Sequence, residues 1–323
     1  MNYKLTVLFM TCRAAYFEEA LQSVLNQTFR DFKVIVSDNT ENAIIINQFK
    51  LRCTDPRIYW VHAWPDTGGF SDTHWNYLRN YVDTPYFKYM FDDDILYPTS
   101  FQHLVSMLEI NKKIVCAFHG RHVIDHSGAI INNRSWLISD SILIGKAQQL
   151  AEIIFKSISN VFGEQPFSMY SSSIVNDELF YNSLENWPLS YIADVPLILK
   201  LSRRGDIAIS GALLGAFRVH GNQDSNTISR LSEKVEWELI CRVLNNQYSF
   251  DRDSILNTCN GLIKLHNQAC DDFDILKKFV HNLEKNISSG VFLPDEPFYE
   301  LWVESRSRLK LPIIDIKEVI QQK

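Results

Sequence analysis

The sequence predicts an α/β domain with a mostly parallel central sheet over residues 1–225, followed by a helical C-terminal region over residues 226–323. Three observations carry this. Short apolar, β-branched runs alternate with amphipathic stretches through the first part of the chain, the rhythm of strand–helix–strand units with helices on both sheet faces. Two of those runs stop at aspartate, at Asp38 and at Asp92-Asp93-Asp94. Beyond about residue 225 the alternation gives way to long helical patterns, SEKVEWELICRVLNN and DFDILKKFVHNLEKN.

Taken in order, KLTVLFM (residues 4–10) is apolar and β-branched enough for a buried strand. AAYFEEALQSVLNQ (14–27) sets Ala20, Leu21, Val24 and Leu25 on one face with Glu18 and Glu19 near its start, an amphipathic helix. KVIVSD (33–38), RIYWVHA (57–63) and PYFKYMF (85–91) are the next strands. Residues 114–131 predict a hairpin turning around Asp125–Gly128, and AQQLAEIIFKSI predicts a helix. A further helix is expected over 191–204, then two strands, DIAIS and AFRVH.

The composition is 46% hydrophobic and 22% charged, so a core of ordinary size is available. With 12 glycines and 10 prolines, collagen-like and low-complexity architectures are excluded. The balance of 32 basic against 38 acidic residues counts against a nucleic-acid partner, whose binding energy comes largely from Lys and Arg on phosphates. A polyanionic substrate stays compatible where a divalent metal supplies the positive charge. The apolar run before Thr11 and Arg13 is too short for a signal peptide, and no run reaches the ~18 residues of a spanning helix. Six cysteines without a CxxC pair or zinc spacing predict free thiols, hence a cytoplasmic protein. His119, His122 and His126 lie close in sequence, but strand parity sets His119 on the face opposite the other two, which predicts ordinary hairpin residues.

Open α/β sheets bind ligands at the carboxyl ends of their strands. The pattern above brings Asp38, Asp92, Asp93 and Asp94 to one such edge. Three consecutive carboxylates repel one another unless solvated or neutralised, so FDDDILYP predicts either a hard divalent cation with oxygen ligands or a solvated acidic turn.

The stretch LTVLFMTCRAAYFEEALQSVLNQTFRDFKVIVSDNTEN resembles the opening of family 2 glycosyltransferases: a strand, a PTYN-like turn, a helix ending S-V-L-x-Q-T and a strand ending in aspartate. GFSDTHWNYLRNYVDTPYFKYMFDDDILYP resembles that family's G-x-S-x-x-W-N stretch leading into its DXD region. YIADVPLILKLSRRGDIAI resembles its E-D-x-x-L-x-x-R-L-x-x-x-G segment, and FRVHGNQDS its R-x-H-x-x-x-x-S segment. The four follow in family order over about residues 4–225.

The resemblance implies a GT-A fold and metal-dependent, inverting transfer of a sugar from a nucleotide-diphosphate-sugar to a hydroxyl of a saccharide or lipid-linked saccharide. The family's setting is cell-surface polysaccharide or glycolipid synthesis, and UDP is the favoured nucleotide. It implies Mn2+ or Mg2+ held among Asp92, Asp93, Asp94 and His220, with Asp93 and Asp94 the favoured ligands. Thr11, Arg13, Asp38, Asp92, Asp93, Arg218 and His220 would contact the donor, Asp38 at the nucleoside and Arg218 either at phosphate or, as the other open reading, paired with a structural acid. Asp194 would be the base, in an E-D pair that reads Ala193-Asp194 here. The turn also departs: P-x-Y-N reads Met10-Thr11-Cys12-Arg13, without an aromatic for the nucleotide base. Trp75 is expected to pack beneath the donor, while Trp187 fits either an acceptor floor or the core. Arg306, Arg308 and Lys310 leave a peripheral contact with the inner membrane face open, beside helix packing and a homo-oligomer contact. Two other functions share such a fold. One is a sugar-phosphate nucleotidyltransferase, against which the glycine-free TCRAAYFEE counts; the other is a non-catalytic carbohydrate-binding protein.

Overall fold

The computed structural model describes residues 3–69, 71–138, 141–174, 183–221 and 230–311. In chain order the elements are β1 (Leu5–Thr11), α1 (Phe17–Leu25), β2 (Phe32–Asp38), α2 (Ile44–Phe49), β3 (Ile58–His62), α3 (Trp64–Thr67), α4 (Ser71–Arg79), β4 (Tyr86–Phe91), β5 (Ile95–Leu96), α5 (Ser100–Glu109), β6 (Ile114–Ile124), β7 (Ile130–Arg134) and β8 (Ile142–Gly145). They continue as α6 (Ala147–Ser157), β9 (Ser168–Ser171), β10 (Ser183–Leu184), β11 (Trp187–Pro188), α7 (Asp194–Ser202), β12 (Asp206–Arg218), α8 (Arg230–Tyr248), α9 (Arg252–Asn267), α10 (Ile275–Ser289) and α11 (Glu296–Arg308).

The described residues form two compact units. One takes in 3–146, 161–174 and 201–220; the other takes in 147–160, 183–200 and 221–311. Beside the division expected at residues 225 and 226, the helical unit also takes in two segments from inside the α/β region. The physical reason is the apolar face of α6, with Leu150, Ala151, Ile154 and Phe155 all buried. Phe155 stacks on Phe250 at 4.2 Å, and its carbonyl accepts the Thr258 hydroxyl of α9 at 3.0 Å.

The first unit holds one sheet in the order β3-β2-β1-β4-β9-β6-β12-β5, with β7 on β6 and β8 on β12. β3, β2, β1 and β4 run parallel; β9 runs antiparallel to both β4 and β6, and β12 is parallel to β6. β1 is buried at every position, as a strand covered on both faces must be. Phe17, Ala20, Leu21 and Val24 of α1 and Phe101, Leu104 and Val105 of α5 belong to one core with β1 and β2. The chain leaves β1 for β2 and β3 on one side and returns to β4 on the other, so the order reverses between β1 and β4. That reversal opens a crevice at the carboxyl ends of the two strands. Met10 and Phe91 are register partners there, which brings the residues after each strand side by side.

The expected hairpin is present as β6 and β7. Asp125 Oδ1 closes its turn by accepting the Ser127 and Ala129 amides at 2.8 and 3.0 Å, and Gly128 takes φ 91°. His119 is buried between the Ser100 hydroxyl and the Gly120 carbonyl, and desolvation lowers its pKa to about 3. His122 meets Asn133 instead. The two strands expected from DIAIS and AFRVH are one, β12, whose register against β6 slips between Ser210 and Leu213 and again between Leu213 and Ala216. β12 partners β8 over its first part and β5 near its end, and those irregularities turn it from one neighbour to the other.

The second unit has a polar centre. Glu238, wholly buried, pairs with Arg242 at 2.7 Å and with His266 at 2.6 Å, and Arg242 also donates to Asn282, Asn286 and the Leu293 carbonyl. Trp187 is 3% exposed and packs edge-on against Trp302 at 5.0 Å, so it is core rather than an acceptor floor. Arg306 and Arg308 are engaged inside the unit, Arg306 with Pro188 and Ser190 and Arg308 with Asp274 and Glu304. Two of the three cations thus have partners within the helical unit. All six cysteines are free. Among the described residues no helix is long and apolar enough to cross a membrane.

Candidate functional site

The predicted helix over 14–27 begins only at Phe17, which leaves residues 12–16 as a loop beyond β1. Asp92, the first residue after β4, shapes that loop. Its Oδ2 accepts the Thr11 hydroxyl at 3.0 Å, the Cys12 amide at 2.9 Å and the Arg13 amide at 2.8 Å. Arg13 Nη2 lies 3.5 Å from Asp92 Oδ1 and 3.6 Å from Asp93 Oδ2. Burial pushes the Asp92 carboxyl up, and Arg13 and the two amides oppose the shift. Thr11→Val removes one of three donors on a buried carboxylate. The expected cost is about 1 kcal/mol, read in thermal unfolding as a melting temperature lower by roughly 2–4 °C. An unchanged melting temperature would mean that the hydroxyl does not hold Asp92.

Asp93 is the least enclosed of the three acids, at 7% exposure. Its Oδ2 is 3.1 Å from His220 Nε2, just past the end of β12, while its carbonyl accepts Arg218 Nε at 3.0 Å. Asp94 departs from expectation. It is fully buried, Oδ1 accepts the Arg218 amide at 3.0 Å, and Oδ2 is buried without a hydrogen-bond partner. Desolvation, reinforced by Asp93, raises its pKa well above the usual carboxylate range.

Asp38 and Arg218 are each held by several protein partners. Asp38 is fully buried, and both its oxygens are engaged by the loop after β2: Oδ1 by the Thr40 amide and hydroxyl, Oδ2 by the Ile46 amide. It caps its own loop. Arg218, 2% exposed, ties together Asp93, Glu19 at 2.6 Å and the Asp125 carbonyl at 3.4 Å. It fixes the acidic turn against α1 and the hairpin, and its bond to Glu19 is the pairing with an acid that the sequence left open. Trp75 packs on Tyr89 at 4.5 Å and Phe91 at 5.6 Å, which agrees with a packing role at the end of β4.

Tyr16 was not anticipated. The Arg218 guanidinium lies over its ring at 4.3 Å, and the His220 ring is 5.1 Å away. The family-like turn lacks an aromatic, but three residues further on this one reaches the same cluster. An aromatic immediately before α1 was the available signal.

Among the described residues no three His, Cys, Asp or Glu side chains converge as a metal cage. Asp93 and His220 nevertheless suit a shared ion. Cis ligands about 2.1 Å from an octahedral Mg2+-like ion stand about 3 Å apart, and such ions usually take one or two protein ligands and complete their shell with water and substrate phosphates. The donor set, one carboxylate and one imidazole, suits Mn2+ or Mg2+ completed by a diphosphate.

The chain has relatives and structural neighbours. It is 24% identical over 241 residues to an uncharacterised glycosyltransferase of Rickettsia conorii, a match spanning 72% of this chain and 37% of that protein. It is 23% identical over 314 residues to an uncharacterised glycosyltransferase of Rickettsia typhi, over 84% of this chain and 88% of the relative. The crystal structure of S. aureus TarS residues 1–349 in complex with UDP-GlcNAc matches 97% of this chain and 95% of that one, with a TM-score of 0.55 and 14% identity. The chain has the GT-A glycosyltransferase fold. No family model matches it. The matched part of the chain spans little more than a third of the first two Rickettsia glycosyltransferases. Within this glycosyltransferase fold, Asp92, Asp93, Arg13 and His220 gather at the β1/β4 crevice, the place where an open α/β sheet takes its ligand. Asp194 belongs to the second unit, as the half-buried first residue of α7, with Pro196 in the same first turn.

Proposed function

We propose that the protein is a metal-dependent, inverting glycosyltransferase. It moves a sugar from a nucleotide-diphosphate-sugar, UDP-sugar favoured, to a hydroxyl of a saccharide or lipid-linked saccharide. The observation that carries this reading is the Asp93–His220 pair, 3.1 Å apart at the β1/β4 crevice and faced by the Arg13 guanidinium. Asp93 and His220 would hold Mn2+ or Mg2+. When bound, the ion supplies positive charge to a departing diphosphate. Asp92 fixes the loop that carries Thr11 and Arg13. Arg13, 29% exposed in its side chain, is within reach of diphosphate oxygens and supplies charge-assisted donors. Asp194 takes the proton of the acceptor hydroxyl as that oxygen attacks the anomeric carbon from the face opposite the leaving group. The bond to the diphosphate breaks as the new glycosidic bond forms, and the configuration inverts.

UDP-GlcNAc is the first donor to try, since it is the molecule bound in the TarS complex. The deciding experiment is a calorimetric titration of UDP with manganese, then with chelator, using GDP as control. Binding of UDP that requires manganese is the expected result. Metal-independent binding would remove the ion from the Asp93–His220 pair. A preference for GDP would change the donor, and binding of neither nucleotide to folded protein would overturn the transferase reading.

A further inference from the structure

α8 and α11 hold the segment that leads into α7. Glu236, mid-way along α8 and 2% exposed, accepts three successive backbone amides of that segment. Oε1 takes Ser190 at 2.6 Å, and Oε2 takes Tyr191 at 2.9 Å and Ile192 at 2.8 Å. Successive amides converging on one point form an anion cradle, usually filled by a ligand or phosphate. Here the chain's own carboxylate fills it. Arg306 of α11 grips the same strand from its acceptor side, donating to the Pro188 carbonyl and the Ser190 hydroxyl, both at 3.3 Å. Trp187 is meanwhile wedged among Phe298, Tyr299 and Trp302 of α11. The Pro188 carbonyl and the amides of 190–192 are thus held by one carboxylate and one guanidinium, and α7 starts two residues later at Asp194.

We infer that Glu236, seconded by Arg306, is a positioning residue for Asp194, so that the helical unit sets where the proposed base stands. The inference rests on the reading of Asp194 as the base. Its logic is geometric. Asp194 lies in the first turn of α7, where the Leu197 amide already bonds to the Ala193 carbonyl. The placement of its carboxylate therefore follows the entry of the helix, and that entry is fixed by three amides on one side chain. A misplacement of about 1 Å in a reacting group costs on the order of a hundredfold in rate.

Glu236→Gln tests it in the full-length protein. The amide retains one acceptor oxygen but turns an NH2 group toward a backbone N–H, so one of the three amides loses its acceptor. Hydrogen–deuterium exchange should show faster exchange at 190–192 and in the first turn of α7, with β1 and β4 unchanged. On UDP-GlcNAc, followed by UDP release, kcat should fall by about tenfold to a hundredfold while the donor KM stays within about twofold. Glu236→Asp, which keeps the charge with shorter reach, should fall between wild type and Glu236→Gln, and it serves where Glu236→Gln does not fold. Unchanged exchange at 190–192 overturns the inference without any substrate being known. Equal losses in kcat and donor affinity, with the sheet amides also exposed, overturn it in favour of a general role in stability. Asp194→Asn measured alongside separates the two readings. If that variant is inactive while Glu236→Gln keeps full kcat, only the positioning role fails. If Asp194→Asn retains turnover, the base assignment itself fails.

Discussion

Asp194→Asn is expected to lower kcat by about a thousandfold or more while UDP affinity stays within about twofold of wild type. Asparagine keeps the size and the hydrogen-bonding oxygen of the side chain but cannot accept the acceptor's proton at neutral pH. General-base catalysis accounts for about 10²–10⁴ in rate, so the loss should sit near the upper end of that range. The two halves of the prediction are separable because Arg13, Asp92, Asp93 and His220, the residues proposed for the donor, belong to the first unit, whereas Asp194 belongs to the second. A competing account makes Asp194 only a favourable acid in the first turn of α7. That account predicts a small loss of stability, about 0.3–1 kcal/mol for a charge at a helix N-terminus, with turnover intact. Turnover and melting temperature measured on the same preparation decide between the two, and unchanged turnover would retire the base assignment.

The fold was legible where a parallel sheet writes itself most clearly. β1, β2 and β4 are apolar runs because helices cover both faces, and each ends where a polar residue meets the crevice. β9, with the sequence SMYS, was illegible because a four-residue strand between two partners needs no long apolar run. β12 read as two strands because Gly211 and Gly215 interrupt the pattern. Gly215 sits where backbone approaches: an added Cβ there would meet the Ile95 carbonyl and the Phe167 ring. The domain division was illegible for a related reason. The face that α6 buries looks the same in sequence whether it faces a sheet or another helix.

The candidate site was legible as a set of residues and less so as a set of roles. Asp92, Asp93, Arg13 and His220 do come together. The sequence could not say what each carboxylate meets: Asp93 meets His220 and Arg13, while Asp94, one residue on, is enclosed against the Arg218 amide. Asp38 occupies the expected strand end, yet Thr40 and Ile46 close on it from its own loop. Glu236 carried no signal, because on a single helix a buried glutamate and a solvated one are written alike. Its partners lie more than forty positions away, at Ser190, Tyr191 and Ile192.

Asp93→Ala is expected to abolish the manganese-dependent part of UDP binding, a loss of about a hundredfold or more at saturating metal. Removing a group that merely orients a ligand already costs 10–100-fold in metal affinity, and here a ligand itself is lost from a pair. His220 alone would remain, and a single imidazole with diphosphate oxygens is a poor site for a hard ion. The Arg13 guanidinium would at the same time lose one of its two carboxylate neighbours, the one 3.6 Å away. Weak UDP binding that ignores manganese is the expected residue of function. Asp94→Asn is the matched comparison. Asp94 is fully buried and its Oδ1 is held by the Arg218 amide, so metal dependence should survive that substitution even where stability changes. The reverse pattern, with metal dependence kept in Asp93→Ala and lost in Asp94→Asn, would require the acidic turn to rotate on donor binding and would hand the ligand role to Asp94. Loss in both variants, with the fold intact by circular dichroism, would mean that the turn holds the ion as a unit, and the Asp93–His220 pair would no longer suffice as its site.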